Sequence, residues 1–228
     1  MAVSFVIDRD QPLRTRVKMC GITSIEAMQQ AVMAGADAIG LVFYEKSPRH
    51  VSLDQAREIV AAMPAFVTSV ALFVDASVDF VEEVIKVTGV DLLQFHGQES
   101  TDFCQNFQRP YIKAVRMQAE TDLKALAQTY SSSQGLLLDA YKKGVPGGTG
   151  ETFNWQWITP QMRGKLPLPI ILAGGLNPSN IVQAIKTVQP WAVDVSGGIE
   201  RAPGQKSIEK IHQFMQAVQS TVPRQQVK

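Results

Sequence analysis

Cysteine and histidine are scarce in this chain, which has two cysteines, Cys20 and Cys104, and three histidines, His50, His96 and His212, in 228 residues. Two thiols so far apart make no disulfide framework, and the scattered histidines offer no metal-ligand spacing. No metal site is therefore expected, and reduced thiols in a cytoplasmic setting are the default. Excess charge of either sign is also lacking: 22 Lys and Arg oppose 21 Asp and Glu, leaving a formal charge of +1. That balance supplies no general field for nucleic acid or an anionic membrane, so any affinity for an anion must be local. No apolar run approaches the ~18 residues a membrane helix needs. The opening MAVSFVIDRDQPLRTR is interrupted by Asp8 and Asp10 and is too short and acidic for a secretory signal. Residues 1–14 are read as a surface extension and 220–228 as a polar tail. No composition shift or Gly/Ser linker divides 15–219, which is expected to be one catalytic domain.

What is present is alternation. Short β-rich runs at 17–20, 38–43, 67–73, 92–95, 111–115, 135–139, 169–173 and 192–195 each precede a helix-periodic segment. Helix signals include Thr23 with Glu26 and Ser52 with Gln55 as capping boxes, Gly35 and Gly89 as stops, and Asn177 with Pro178 opening the seventh helix. The segments after the fourth and sixth strands carry weaker signals. Parallel strands need crossovers, and eight βα units in about 200 residues favour a closed (β/α)8 TIM barrel of the α/β class. A doubly wound sheet is the runner-up, but G-I-T-S after Cys20 is not the glycine fingerprint such folds carry.

In such a barrel catalytic groups sit at the C-terminal ends of the strands. Cys20 ends strand one in K-M-C-G-I-T. Alternation puts Lys18 on the same face, where a cation favours the thiolate and fits the thiol for work as a base. Asp194 and Ser196 share one face of strand eight, which closes against strand one, so Asp194 is placed to pair with Lys18 and to moderate its effect on Cys20. Asp139 ends strand six at the same level, where a partly desolvated carboxyl can hold a proton for use as a general acid. A-G-G-L-N-P follows strand seven and S-G-G-I follows strand eight. Gly174, Gly175, Gly197 and Gly198 thus lie where barrels commonly bind phosphate through backbone N–H groups. Arg49, in the loop after strand two, suits a carboxylate held by a bidentate pair. His96 ends strand four on the face of Gln94 and is a candidate substrate contact. The loop YKKGVPGGTGETF after Asp139 has the length and glycine content of a lid. Cys104, between Phe103 and Phe107 in a helical run, reads as core or helix surface without chemistry.

The ordered set K-M-C-G-I-T, S-P-R-H-V, L-Q-F-H-G, L-L-L-D-A, G-G-T-G-E-T-F-N-W, A-G-G-L-N-P and V-D-V-S-G-G-I-E closely resembles phosphoribosylanthranilate isomerase of tryptophan biosynthesis, from Val17 to Val218. The resemblance implies a cofactor-free Amadori rearrangement of a phosphosugar-anthranilate substrate. It makes Cys20 the base that takes the sugar C2 proton and Asp139 the acid that protonates the furanose ring oxygen. It sets Arg49 against the anthranilate carboxylate and the glycine pairs around the phosphate. Asn154, Gly197, and Lys206 with Ser207 depart from the family pattern, which touches the lid and the cap of the last helix. The competing readings are another phosphosugar barrel enzyme and a non-catalytic phosphometabolite-binding or thiol-sensing barrel. Neither nucleic acid nor membrane is an expected partner, and both monomer and homodimer fit the sequence.

Overall fold

A computed structural model describes residues 14–140, 152–158 and 160–222. The expected leader up to residue 13, residues 141–151 of the expected lid and the tail from 223 lie outside the described residues. Eight parallel strands close in sequence order: β1 (Arg16–Cys20), β2 (Ala38–Val42), β3 (Thr68–Phe73), β4 (Leu92–Phe95), β5 (Tyr111–Met117), β6 (Leu136–Ala140), β7 (Ile170–Leu172) and β8 (Ala192–Val195). The surrounding helices are α1 (Ile25–Met33), α2 (Leu53–Ala61), α3 (Val78–Thr88), α4 (Thr101–Gln105), α5 (Leu123–Thr129), α6 (Pro160–Lys165), α7 (Ile181–Val188) and α8 (Ile208–Gln219). The chain is a single (β/α)8 barrel, and among the described residues no helix is long and apolar enough to cross a membrane.

The β-branched and leucine-rich runs form strands because each is buried on both faces, inward on the barrel and outward under the helices. Most of the apolar core lies between sheet and helices. Phe95 stacks there among Phe73, Phe103, Phe107 and Tyr111, and Cys104 of α4 is fully buried in the same layer. Burial pushes the Cys104 thiol up to about 12, which fits a packing role. A smaller cluster of Ile112, Ala114, Leu137 and Ala173 fills one side of the barrel interior. A third cluster, Cys20, Val42 and Leu72, lies towards the ends of β1, β2 and β3, and Lys18, Gln94 and Asp194 are buried polar residues of the strands.

The ring closes at the seam between β1 and β8. Lys18 sits in direct register with Asp194, and Lys18 Nζ donates to Asp194 Oδ1 at 2.8 Å. Arg16 lies over the Trp191 ring at 3.5 Å, a cation–π contact at the N-terminal end of the same seam. Arg14, at the edge of the expected leader, pairs with Asp37.

Three local expectations differ from the structure. Ser24, not Thr23, caps α1 by accepting from the Ala27 amide, while the Thr23 hydroxyl donates to the Gly204 carbonyl. The helix after β7 starts a turn late, because Asn177 and Pro178 build a hydrogen-bonded turn ahead of Asn180, the cap residue of α7. Two further strands, β9 (Glu200–Ala202) and β10 (Gln205–Lys206), form an antiparallel hairpin between β8 and α8. The Ser52 and Gln55 capping box and the left-handed Gly89 stop are as expected, and Ser207 caps α8.

Candidate active site

Every residue singled out from the sequence as a site candidate lines one pocket at the C-terminal mouth of the barrel: Cys20, Arg49, His96, Asp139, Gly174, Gly175, Ser196, Gly197 and Gly198. Asp194 joins them, as does an apolar wall of Val42, Tyr44, Leu72 and Val74. That wall comes from the ends of β2 and β3, and its aliphatic residues carry no local mark that separates them from core.

Cys20 is 4% exposed at the end of β1. Its thiol sits against Gly40 of β2, where even a methyl group would come within 2.7 Å of Sγ and 3.0 Å of Lys18 Cε. Glycine at that position is what lets thiol and ammonium share the space. Burial pushes the Cys20 thiol above its ordinary value; the Lys18 cation pulls it down and the Asp194 carboxylate pushes it up again. Lys18 itself is buried, which works against its ammonium form, but Asp194 and the Cys20 sulfur together outweigh this and hold it above the ordinary lysine value. The Lys18 cation is thus matched by Asp194, and Cys20 rests as a thiol.

Across the mouth Asp139 is buried at the end of β6 with both carboxyl oxygens engaged. The Ala140 amide donates to Oδ1 at 2.8 Å, and His96 Nε2 lies 3.1 Å from Oδ2. Gln94 Nε2 lies 3.0 Å from His96 Nδ1. Gln94 and His96 thus form a chain of polar contacts that ends on the Asp139 carboxyl group, with donor and acceptor along it set by the imidazole tautomer. Gln94 Oε1 has no hydrogen-bond partner among the described residues.

The glycine loops face each other. Gly174 and Gly175 take φ of 83° and 62°, and Asn177 and Asn180 both donate to the Gly175 carbonyl, at 3.2 and 2.9 Å. Gly197 and Gly198 begin a single 3-10 turn, and a Cβ on Gly198 would collide with the Leu176 carbonyl of the neighbouring loop. Among the described residues the amides of these four glycines donate to no protein acceptor. Two close loops of backbone N–H groups without protein acceptors have the chemistry that suits an anion.

Arg49 reaches the pocket already paired. Its Nε donates to Glu200 Oε1 at 2.8 Å and Nη2 to Glu200 Oε2 at 2.7 Å. Lys206 Nζ donates to the same Glu200 Oε1 at 2.7 Å and to the Ser196 carbonyl at 3.1 Å. Burial alone would raise the Glu200 carboxyl, but Arg49 and Lys206 hold it below the usual range. Burial keeps Lys206 below the ordinary lysine value even with Glu200 beside it. Glu200 closes the V-D-V-S-G-G-I-E motif and Lys206 stands among the departures from the family pattern, but the pairing of either one around Arg49 was not legible in the sequence.

A family model described as N-(5'-phosphoribosyl)anthranilate isomerase matches residues 17–217. A protein of that name from Pseudomonas fluorescens (strain SBW25) is 55% identical over 206 residues, covering 90% of this chain and 96% of the relative. The crystal structure of phosphoribosyl anthranilate isomerase from Thermotoga maritima superposes with a TM-score of 0.82 at 36% identity, covering 90% of this chain and 99% of that one. Another structure of such an isomerase, in complex with reduced 1-(o-carboxyphenylamino)-1-deoxyribulose 5-phosphate, has a TM-score of 0.79 at 35% identity with the same coverage. With the barrel, the pocket and these matches in agreement, the chain belongs to the N-(5'-phosphoribosyl)anthranilate isomerase family.

Proposed function

We propose that this chain catalyses the Amadori rearrangement of N-(5'-phosphoribosyl)anthranilate to 1-(2-carboxyphenylamino)-1-deoxyribulose 5-phosphate, a step of tryptophan biosynthesis. The observation that carries the reading is one pocket holding a buried thiol and a buried carboxyl, together with an arginine and two glycine loops. The reaction moves hydrogen within one molecule, so proton transfers suffice for it. Asp139 gives a proton to the furanose ring oxygen as the C1–O bond breaks, and the lone pair of the aryl nitrogen forms the C1=N iminium. That cation makes the C2 hydrogen acidic. Cys20, as thiolate, removes it, and the electron pair forms C1=C2. The resulting enolamine becomes the product when the C2 hydroxyl loses its proton and C1 gains one.

The four glycines would hold the phosphate through their amides. Val42, Tyr44, Leu72 and Val74 would pack against the aromatic ring, and Arg49 would face its carboxylate. Incubating purified protein with freshly made phosphoribosylanthranilate and following substrate loss tests the reading. Turnover no faster than the spontaneous rate would overturn it.

A pH dependence follows from the buried thiol. The working base is the thiolate, while the resting form is the thiol, held above its ordinary value by burial. Raising the pH therefore increases the fraction with a competent base. On a substrate mimic already in the open-chain form, which does not call on the acid form of Asp139, the rate is expected to climb by up to about tenfold per pH unit across the neutral range. Single-turnover rates measured at a series of pH values check this. A profile already flat around neutrality would show that Cys20 is not the titrating base.

A further inference from the structure

Arg49 is held from behind by a residue outside the pocket lining. A guanidinium carries five N–H groups in a planar fork. Glu200 takes Nε–H and one N–H of Nη2, which is the side edge of the fork. Among the described residues the end edge, shared by Nη1 and the second N–H of Nη2, has no hydrogen-bond partner. The arginine stem is fixed as well: it crosses Gly21, where a Cβ would come within 2.5 Å of Arg49 Cδ, and its Nη2 lies 3.3 Å from the position a Cβ on Gly197 would take. Stem, plane and one edge of the guanidinium are thus all set, and Arg49 lines the pocket.

Glu200 is fixed in turn. Its Oε1 accepts from Lys206 Nζ at 2.7 Å, and its carbonyl accepts from Lys210 Nζ at 2.7 Å. A lone Arg49–Glu200 pair would be neutral and a weak attractor for an anion. Lys206 supplies a second cation, so the trio keeps one net positive charge behind the end edge. A buried carboxylate beside an arginine would ordinarily compete with an anionic ligand; here it orients the arginine, and the lysine offsets its charge.

From this arrangement the geometry assigns Glu200, backed by Lys206, as the positioning residue that turns the end edge of Arg49 into the pocket and so sets selectivity for a substrate whose aromatic ring bears a carboxylate. The assignment rests on the isomerase reading above and names what that site selects.

The test compares two ligands by calorimetry: the reduced product analogue carrying the ring carboxylate, and its counterpart with hydrogen at that position. The wild-type protein should favour the carboxylated ligand. Glu200→Ala should cut that preference by about tenfold or more, leaving the affinity for the uncarboxylated ligand nearly unchanged. In turnover of phosphoribosylanthranilate, KM should rise by more than kcat falls. Glu200→Gln, which keeps the shape and one acceptor, should be intermediate, and it supplies the measurement should the alanine variant not fold. Adding Glu200→Ala to Arg49→Lys should change the preference no further, because the fork being oriented is already gone. Equal loss for both ligands, or an unchanged preference, would overturn the assignment. A wild-type protein that turns over no substrate would instead overturn the isomerase reading, while the ligand preference would still report on Glu200.

Discussion

Cys20→Ser is expected to lower turnover by at least about 100-fold while leaving the affinity for inorganic phosphate or for the reduced product analogue nearly intact. Serine is smaller than cysteine and fits the space against Gly40, where no larger side chain is admitted. The barrel end should therefore keep its shape. What changes is acidity. A thiol is far more acidic than an alcohol, and the C2 hydrogen of an iminium is acidic enough for a thiolate base. A hydroxyl in the same place does not ionise, and Lys18 cannot substitute, since its ammonium is held by Asp194 at 2.8 Å. Steady-state rates of the purified variant, alongside calorimetric titration of the analogue, separate loss of chemistry from loss of binding. Near-normal turnover would remove Cys20 from the mechanism.

Asp139→Asn should be as damaging, again by at least about 100-fold in kcat, with KM little changed. The amide is isosteric, and its oxygen can still accept the Ala140 N–H. Its NH2 then faces His96 Nε2, where Asp139 Oδ2 had been a hydrogen-bond partner. The NH2 is accepted by the ring when the imidazole proton is on Nδ1 and meets a second donor when it is on Nε2. With either tautomer the variant loses the transferable proton. Because ring opening precedes deprotonation, a substrate mimic already in the open-chain form should recover much of the lost rate if Asp139 acts at the ring oxygen. Equal impairment with both forms would place its role elsewhere, and an unimpaired variant would deny it a role.

The barrel was legible because its eight strands are apolar runs bounded by capping signals, and strand alternation together with ring closure predicts the Lys18–Asp194 contact that the structure contains. All the site candidates reach one pocket for the same reason, since they end strands or follow them directly. Cap chemistry was less legible. Thr23 and Ser24 are adjacent hydroxyls, and only the tertiary contact of Thr23 with the Gly204 carbonyl leaves Ser24 as the cap. Asn177–Pro178 has the chemistry of a helix start, but both Asn177 and Asn180 donate to Gly175, and α7 begins only after them. The roles of Glu200 and Lys206 stayed hidden because their hairpin strands are too short for a periodic pattern. The partner of Glu200 is 151 positions away, and no local signal encodes such a pairing.

The seam that closes the ring also orders events in time. Lys18 and Asp194 are 176 positions apart, so their meeting closes one of the longest loops in the chain and belongs among its slower contacts. During synthesis the segment bearing Cys20 leaves the ribosome early, and its hydrogen-bonding partner β8 arrives near the end. Until then β1 is an unpaired edge with an ammonium on its inward face and no carboxylate to meet it. The thiol therefore acquires its working surroundings in the same step that removes the last open sheet edge from the nascent chain, which makes catalytic competence a late product of translation.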